Sequence, residues 1–498
     1  MKKLFTILLL LIFVCISNAQ HLRLVKDIDP GFSLASSTLL YSFDNKVLLK
    51  FTKGVASVLY VSDGTEANTK AIANSPTGLS NYGLRSFINA ANGNVYFCQD
   101  HYADNKTYLY KLDKNTFDLE EIITLNGVNK ISDILFYNNA LYFLQDDDLM
   151  KYTGNGSSEL IKHFGDFGSS TLINYKGKIY AIASTPTFPV NHALYESDGT
   201  TQGTKLIKIL FEPHASVNPA SSHIFNDILY LATDEQQLFR TDGTPEGTYK
   251  LLDINEGTEN RLEMLELQGN IFFTACTDPT QQYYTRLYKT DGSLSGTSEV
   301  SFSFPLTTIT GISKIRDSLY IKTSEALYSW DGDSESLSPI HTAYSMLGVF
   351  SDSLVCLNSS RYVFMYKDGF FNEKKVNGRH FEYANFKPAG NKLFFVGEEE
   401  NGGIGEELYV MDGFETNKII KNDPIPVTVY PNPTSGIINF RREFNGRVAS
   451  IYDIMRNRVG NIKIANDQID ISNFEGGVYF MSISNNSYNY YGKIILNK

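Results

Sequence analysis

The chain has 498 residues, of which 42% are hydrophobic, 13% aromatic and 20% charged. This composition supports a large folded core and excludes an intrinsically disordered protein. Acidic residues outnumber basic residues by 55 to 44, and the formal net charge of −11 argues against nucleic acid and other phosphate-rich partners. One Trp beside 31 Tyr, 33 Phe and 37 Gly favours many short strands joined by turns.

The N-terminus has the pattern of a targeting segment. Lys2 and Lys3 precede an apolar run from Leu4 to Val14, and Ser17–Ala19 supplies the small residues of a cleavage site. We therefore predict that residues 1–19 are a secretory signal peptide. A membrane anchor is the alternative, but the run is shorter than the ~20 residues that a span requires. Lipid attachment at Cys15 is disfavoured because Val14 stands where a small residue is needed. No other segment is long and apolar enough, so no transmembrane segment is expected in the mature chain.

Three cysteines remain beyond the signal peptide, namely Cys98, Cys276 and Cys356. An odd number spread over the chain does not form a disulfide framework, even in an exported protein. Each lies in or beside an apolar run, so we interpret all three as buried structural thiols. A catalytic cysteine is the alternative, but no His stands nearby in a recognisable pattern.

The strongest pattern is a short phrase, Leu-Tyr-x-Ser-Asp-Gly-Thr or a close variant, that recurs along the chain. Its clear copies span Leu59–Thr65, Leu194–Thr200, Leu238–Thr244 and Leu287–Ser293. We predict structural turns at the Asp-Gly pairs of these copies and of two shorter echoes, which are Asp63-Gly64, Asp198-Gly199, Asp242-Gly243, Asp291-Gly292, Asp331-Gly332 and Asp412-Gly413.

A polar turn followed by an apolar strand precedes each copy, as in Gln268–Phe273 and Gly390–Phe395, and this is the chemistry of a β-hairpin. The repeat returns every 37 to 50 residues, with a mean of about 44, which is the length of a four-stranded propeller blade. Nine units therefore run through residues 20–422. We predict an all-β fold, a β-propeller of eight or nine blades, with an open β-solenoid as the alternative. The first blade would begin with a strand at Leu24–Ile28.

The stretch from Leu238 to Thr244, continued by Gly247-Thr248, resembles the E-L-W-x-S-D-G-T repeat family of exported bacterial proteins. Gly203-Thr204 and Gly296-Thr297 fall at the same offset in their own copies. Tyr or Phe stands where the family often has Trp, and the leading Glu survives only as Glu407. The resemblance covers about four-fifths of the chain and implies a propeller-like fold without implying an activity.

The repeat stops before Asp423–Pro426, which we predict to be a linker, and residues 427–498 are predicted to form a separate domain. This segment has eight basic and five acidic residues, a net charge of +3, whereas the preceding region carries −16 once Lys2 and Lys3 are set aside. Its short strands are predicted at Val427–Tyr430, Ile437–Phe440, Ala449–Tyr452, Val478–Met481 and Lys493–Leu496, which suggests a small antiparallel β-sandwich.

Four blocks occur in order in this segment, namely Tyr430–Thr434 with Gly436, Tyr452-Asp453, Gly476–Tyr479 and Lys493–Lys498. They resemble the type A sorting domain of the type IX secretion system of Bacteroidetes. We take as the sorting signal Tyr430, Pro431, Asn432, Pro433, Gly436, Gly477, Tyr479, Lys493 and Lys498. The family implies export across the inner membrane, recognition of this domain by the secretion machinery, and its removal before surface attachment or release. An accessory sandwich that binds some other ligand is the alternative.

The sequence shows no catalytic, cofactor or metal motif. The eight His residues are scattered, with none of the spacings of a zinc site, and nucleophile and phosphate-loop motifs are absent. The loop Asp331-Gly332-Asp333 offers two carboxylates, whereas calcium takes about six to eight oxygens, so turns are favoured over calcium binding. His214 and His223, near an irregular stretch, are the only candidates for an enzyme site.

These observations predict a secreted or cell-surface propeller that acts as a binding or adhesion module. An extracellular polysaccharide-degrading enzyme, a glycosidase or a lyase, is the main alternative, and a structural surface protein is the third. A pocket of converged charged groups would favour the enzyme, and an aromatic or polar rim would favour the binding module.

Overall fold

A computed structural model gives the fold of the chain. It describes residues 22–28, 36–54, 56–76, 79, 83–165, 169–186, 191–211, 219–233, 237–253, 264–276, 285–303, 306–332, 337–341, 345–367, 370–376, 379–399, 406–412, 425–426, 430–440, 444, 447–453, 458–484 and 489–498. The chain divides into two compact units, residues 1–413 and 414–498, which we call the repeat unit and the C-terminal unit. Both are built of β-strands, and the described residues include no α-helix.

Over its described residues, the repeat unit contains nine antiparallel sheets, made of strands that are consecutive in the chain except that β1 joins the ninth. Strand β1 (Leu22–Lys26) precedes them. The first three sheets comprise β2 (Ser36–Phe43), β3 (Lys46–Lys53), β4 (Ala56–Ser62) and β5 (Lys70–Ala71); β6 (Leu84–Asn89), β7 (Asn94–His101), β8 (Lys106–Asp113) and β9 (Leu119–Asn126); and β10 (Ile131–Tyr137), β11 (Ala140–Gln145), β12 (Asp148–Gly154) and β13 (Ser157–His163).

The next three sheets have the same order. They comprise β14 (Ser169–Tyr175), β15 (Lys178–Ser184), β16 (His192–Ser197) and β17 (Lys205–Phe211); β18 (Pro219–Phe225), β19 (Ile228–Thr233), β20 (Gln237–Thr241) and β21 (Tyr249–Asp253); and β22 (Met264–Leu267), β23 (Asn270–Ala275), β24 (Arg286–Thr290) and β25 (Ser298–Glu299).

The last three sheets complete the unit. They comprise β26 (Ile309–Ile315), β27 (Ser318–Thr323), β28 (Leu327–Trp330) and β29 (Ser338–His341); β30 (Ser345–Phe350), β31 (Ser353–Leu357), β32 (Val363–Lys367) and β33 (Phe370–Glu373); and β34 (Lys375–Val376), β35 (Arg379–Ala389), β36 (Lys392–Glu399) and β37 (Glu407–Asp412). In the ninth sheet β35 is the first of the four repeat strands, β1 supplies the fourth, and β34 is a fifth strand on the other edge of β35.

The N-terminal strand joins the last sheet and not the first. Strand β1 pairs antiparallel with β37, so that Leu22 lies opposite Met411 and Leu24 opposite Tyr409. The prediction that the first strand begins the first blade was therefore wrong, and the first sheet is completed by the two-residue strand β5. A repeat pattern fixes the period of the units but not the position at which each sheet begins. Pairing the two ends of the unit covers an edge of β37 that would otherwise be exposed.

Hydrophobic clusters lie between consecutive sheets all the way round the unit. Phe43 and Phe97 belong to a cluster shared by sheets one and two, and eight further clusters join the remaining neighbours. In the cluster that closes the series, Leu39 and Val47 of the first sheet pack with Phe394 and Val410 of the ninth. The sheets thus follow one another in a closed circle, which is a propeller-like arrangement.

The second strand of a sheet is covered on both faces by its neighbours. In β31 every residue is buried, and in β7 only the last residue is partly exposed. Strands buried on both faces need continuous apolar runs, which accounts for runs such as Val95–Cys98.

The two ends of the repeat unit differ. Because neighbouring strands are antiparallel, the first-to-second turns and the third-to-fourth loops lie at one end, which we call the turn end. Eight of the nine first-to-second turns have two residues, several with positive φ at both, such as Asn138 and Asn139. The second-to-third connections lie at the opposite end, the loop end, and range from two residues, 54–55, to ten, 276–285.

The C-terminal unit has seven strands. They are β38 (Ile425–Pro426), β39 (Ile437–Asn439), β40 (Val448–Tyr452), β41 (Arg458–Lys463), β42 (Gln468–Asp470), β43 (Gly477–Ser484) and β44 (Asn489–Leu496). A five-stranded sheet of order β38-β44-β43-β40-β41 and a two-stranded sheet of β39 and β42 share one core, in which Ile438 and Ile469 meet Ile451, Met481 and Ile494.

This unit corrects the predicted linker. Ile425 and Pro426 form β38, which pairs parallel with Tyr490 and Tyr491 of β44, so they belong to the sheet. Proline is tolerated there because β38 is an edge strand that can forgo one N–H donor. Asp423 and Pro424 lie outside the described residues. The sequence prediction also omitted β41 and β42, which are short and lack a run of β-branched or aromatic residues.

Candidate functional site

The Asp-Gly loops share one network of hydrogen bonds at the turn end. In the copy at Asp198, the Oδ1 atom accepts the backbone N–H of Thr200 at 2.9 Å and its hydroxyl at 2.7 Å. The hydroxyls of Ser197 and Thr204 lie 2.6 Å apart beneath the loop. The hydroxyl of Thr200 lowers the pKa of Asp198 by its hydrogen bond. Asp63, Asp242 and Asp291 make the equivalent bonds to Thr65, Thr244 and Ser293.

This geometry accounts for the Gly-Thr pair that follows each turn. A Cβ atom at Gly203 would lie 2.0 Å from the Asp198 carboxylate, so a side chain at this position would have to displace the carboxylate from its place in the turn. In the first copy Asn68 replaces this glycine, and its Nδ2 donates to Asp63 Oδ2 at 2.8 Å. The carboxylates are thus engaged within their own loops. Among the described residues, no group of three or more His, Cys, Asp or Glu side chains is arranged to hold a metal ion.

The other two predicted turns differ. The carbonyl of Asp331 accepts a hydrogen bond from Gln268 of the preceding sheet at 2.8 Å. Asp412 is the last residue of β37 and lies 3.6 Å from Arg23 of β1. Gly413 is outside the described residues. Each of these positions therefore has a contact of its own, and residues 333 and 414, which would complete the network described for Asp198, lie outside the described residues.

Bonds from one sheet to the next are frequent at the turn end. The Tyr142 hydroxyl donates to the carbonyl of Gly199 at 3.4 Å, and Lys176 donates to the carbonyl of Asp242 at 3.0 Å. Lys392 of the ninth sheet donates to the carbonyl of Asp63 in the first. The turn end is thus tied together by side chains of one sheet that donate to backbone carbonyls of the next.

Of the two candidate enzyme residues, His214 is outside the described residues. His223 Nε2 lies 2.8 Å from Glu266 Oε1, and Lys314 donates to the backbone carbonyl of Glu266. These side chains come from β18, β22 and β26, the first strands of three consecutive sheets. The contacts connect neighbouring sheets, and sequence spacing could not have paired residues 43 positions apart.

Asp133 is a second carboxylate on a first strand. Its Oδ2 accepts the N–H of Leu172 at 2.8 Å and the hydroxyl of Thr171 at 3.0 Å, both from the next sheet. Burial raises the pKa of this carboxyl. Asn385, which follows the same register shift in the ninth sheet, accepts the N–H of Leu39 at 3.3 Å. A neutral amide therefore serves the same inter-sheet role elsewhere in the circle.

Asp133→Asn is expected to change the pH dependence of stability. A raised folded pKa means that the carboxylate costs stability as pH rises from the ordinary value of 3.8 through the folded value. The free energy of unfolding of the variant, relative to the parent, should therefore rise with pH over that window and then level off. Thermal melts across a pH series measure this difference.

Asp133→Ala is the matched control. It leaves the buried N–H of Leu172 without its acceptor and should cost about 1–3 kcal/mol even where the carboxyl is protonated. A difference between Asp133→Asn and the parent that is constant with pH would contradict the interpretation.

The predicted sorting residues converge on β44 in the C-terminal unit. Asn432 Oδ1 accepts the N–H of Ile495 at 2.8 Å, and the N–H of Thr434 donates to the carbonyl of Ile495 at 2.8 Å. The N–H of Asn497 donates to the carbonyl of Thr434, also at 2.8 Å. The segment from Tyr430 to Gly436 therefore lies along the C-terminal strand.

The remaining sorting residues adjoin the same strand. Gly477 lies opposite Leu496 and Tyr479 opposite Ile494, while Lys493 lies opposite Phe480. The Tyr479 hydroxyl donates to the carbonyl of Glu475 at 2.8 Å, and its ring is buried in the core. Pro431 and Pro433 follow cis peptide bonds, Tyr430 and Lys498 are exposed, and the carbonyl of Gly436 accepts the N–H of Ile471 at 2.9 Å.

Thr434 bonds the segment of Tyr430 to Gly436 to the C-terminal strand, and this structural role was not predicted. Its side chain is buried, its Oγ1 donates to the carbonyl of Ile437 at 2.7 Å, and it accepts the N–H of Gly436 at 3.0 Å. A Thr inside a Pro-Asn-Pro-Thr run is common turn chemistry, so the sequence alone gave no sign of it.

Comparison with known proteins identifies the C-terminal segment. Residues 428–497 match the family model of the secretion system C-terminal sorting domain, which confirms the predicted sorting domain. A chain with this domain is exported to the cell surface or secreted, and the domain implies interaction with the secretion machinery. Among the described residues, no helix is long and apolar enough to cross a membrane. The signal peptide over residues 1–19, the repeat family and the Bacteroidetes origin stay predictions.

Several solved structures are similar to the chain. PorZ, described as an essential bacterial surface component of the type-IX secretion system of Porphyromonas gingivalis, is 11% identical with a TM-score of 0.29, over 92% of this chain and 81% of that chain. BamB from Moraxella catarrhalis is 10% identical with a TM-score of 0.37, over 76% and 98%. Sqt1 from Saccharomyces cerevisiae is 12% identical with a TM-score of 0.39, over 66% and 96%. No curated protein sequence matches the chain.

Proposed function

We propose that this chain is a surface binding protein whose repeat unit is a nine-bladed β-propeller that holds an extracellular ligand without turning it over. The blade count is supported by the nine sheets, the inter-sheet clusters and the pairing of β1 with β37. On this proposal the propeller occupies residues 20–422, and the sorting domain occupies residues 425–498.

The observation that carries the binding role is the difference between the two ends of the repeat unit. Four loops of the turn end repeat one geometry, and backbone carbonyls there accept hydrogen bonds from neighbouring sheets. The loop end has connections of very different length on the same rigid scaffold. Loops that vary on a fixed framework are where binding residues concentrate, so we place the ligand at the loop end.

The negative charge of the repeat region bears on which class of ligand it can bind. The net charge of −16 over the repeats and the predicted linker, Lys2 and Lys3 set aside, disfavours anionic polysaccharides unless a local basic patch or a bridging cation offsets it. Neutral glycans and proteins are the favoured ligands. No cofactor is required, because binding without turnover needs only complementary surface groups.

The proposed function is tested with the full chain on a panel of glycans. Affinity electrophoresis in gels that contain dextran, mannan, laminarin or alginate measures retention, and chromatography of the incubated glycans measures product formation. We expect retention by a neutral glycan and no shortened product. Released oligosaccharides would assign the chain to the polysaccharide-degrading enzymes, and a lack of any ligand would favour a structural surface protein.

A further inference from the structure

An exposed tyrosine stands at the loop end of the second sheet. Residues 102–105 connect β7 to β8, and the side chain of Tyr102 is 57% exposed. The connection from β9 to β10 lies beside it, with Asn126 and Asn129 exposed. We call the group Tyr102, Asp104, Asn105, Asn126 and Asn129 the Tyr102 patch.

The carboxylate of Asp104 accepts a hydrogen bond from Tyr108 and lies close to His101. His101 Nδ1 lies 2.8 Å from Asp104 Oδ1, and the Tyr108 hydroxyl donates to Asp104 Oδ2 at 2.5 Å. The hydrogen bond to Asp104 raises the pKa of Tyr108 to about 12, so Tyr108 stays a donor and is not a nucleophile. This bracing fixes the backbone of the loop that carries Tyr102.

A buried network fixes the neighbouring connection. The N–H of Gly127 donates to the carbonyl of Asn105 at 2.7 Å. Asp100 Oδ1 accepts the Thr107 hydroxyl at 2.6 Å and the N–H of Asn129 at 2.8 Å, while Arg85 Nε lies 2.7 Å from its Oδ2. The two connections are therefore bonded to each other and to a buried ion pair. A surface built in this way loses little conformational entropy when it binds.

The two connections of the patch offer hydrogen-bonding groups near the loop that carries Tyr102. The side-chain amides of Asn105, Asn126 and Asn129 are exposed and have no hydrogen-bond partner among the described residues. Each amide both donates and accepts, which suits the hydroxyl groups of a sugar. The ring of Tyr102 offers an apolar face on which the C–H face of a pyranose can stack.

The chemistry of the patch favours a saccharide over a protein. A protein interface needs a broad apolar core with a polar rim, and the patch has one large apolar side chain among three amides and the carboxylate of Asp104, which Tyr108 engages. A single sugar ring needs one aromatic face with donors and acceptors at its border. We propose that the Tyr102 patch is the site at which the repeat unit binds a neutral saccharide. This inference rests on the proposed binding function and adds the site and the ligand class.

Affinity electrophoresis of the full chain in gels that contain dextran, mannan or laminarin tests the site. Tyr102→Ala should weaken retention about tenfold, the effect of losing about 1.4 kcal/mol of stacking, and Tyr102→Phe should retain the parent affinity. Asn126→Ala should weaken retention a few-fold. Asn126 is chosen because Asn105 and Asn129 have positive φ, where alanine would strain the loop.

The control is Leu294→Ala, which removes a similarly exposed side chain at the turn end and should leave retention unchanged. Thermal melts of each variant exclude loss of fold as the cause. If the parent is retained and Tyr102→Ala is retained equally, the site is wrong while the proposed function stands. If no neutral glycan retains the parent, the saccharide class is wrong, and capture of a defined protein ligand would then support binding of another kind.

Discussion

The double variant Leu22→Ala with Val25→Ala is expected to lose about 4–6 kcal/mol of unfolding free energy. Both side chains are nearly fully buried, Leu22 in the cluster between the eighth and ninth sheets and Val25 in the cluster between the ninth and the first. Because they lie in different clusters, their effects should add. The loss is large because β1 also covers the edge of β37.

Denaturant titration of the full chain measures this loss. Arg23→Ala, on the same strand but with its side chain 45% exposed, is the control and should change stability by less than about 0.5 kcal/mol. Val58→Ala, at a partly buried position of β4, shows how much unfolding free energy an alanine substitution costs in a strand that does not join the two ends of the unit. An effect of the double variant no larger than that of Arg23→Ala would refute the closing role of β1.

Removal of residues 425–498 is expected to abolish delivery to the cell surface and to leave the repeat unit folded within the cell envelope. The two units are compact and each has its own hydrophobic core, so loss of one should not unfold the other. The cut precedes Ile425 because β38 belongs to the C-terminal sheet. Protease accessibility on intact cells, with fractionation of the envelope, reports the location.

A point variant distinguishes loss of recognition by the secretion machinery from loss of the whole C-terminal unit. Thr434→Val keeps the side-chain volume but removes the hydroxyl that donates to Ile437 and accepts from Gly436. It should reduce surface delivery if the convergence of the sorting residues on β44 is what the machinery recognises. Ser450→Val is the control, because it removes from a partly buried position of β40 a hydroxyl that donates to Asn461 Oδ1 at 2.8 Å and not to the sorting residues. Undiminished surface delivery of the truncated chain would overturn the sorting role.

The sequence predicted the repeated turns and sheets and also the sorting domain. It did not predict single contacts between residues far apart in the chain, such as the pairing of β1 with β37. Units of four strands were predicted from the spacing of Asp63, Asp198, Asp242 and Asp291, because each of these units has the same polar residues at the same turn. The strand at which each sheet begins was not predictable, because a repeated pattern gives the length of a unit but not its first residue. Strand β1 was therefore assigned to the wrong sheet.

The candidate sites were predictable to different degrees. The sorting residues form four blocks in order, so the domain could be identified, but the structural role of Thr434 depends on which strands lie side by side. The parts of the Tyr102 patch come from two connections that only the sheet order brings together. Asp133 and Asn385 share a role because each follows a register shift, which no sequence pattern marks.

The pairing of β1 with β37 also sets an order of events during synthesis. The first strand of the repeat unit is made early, yet its partner strand, Glu407–Asp412, is made only after eight complete sheets. A nascent chain that stops anywhere before residue 412 keeps an unpaired edge and cannot close. The sorting domain follows that partner strand in the chain, so ribosomes produce the export address only after every strand of the circle exists. A chain that carries the address is therefore never missing its last blade through premature termination.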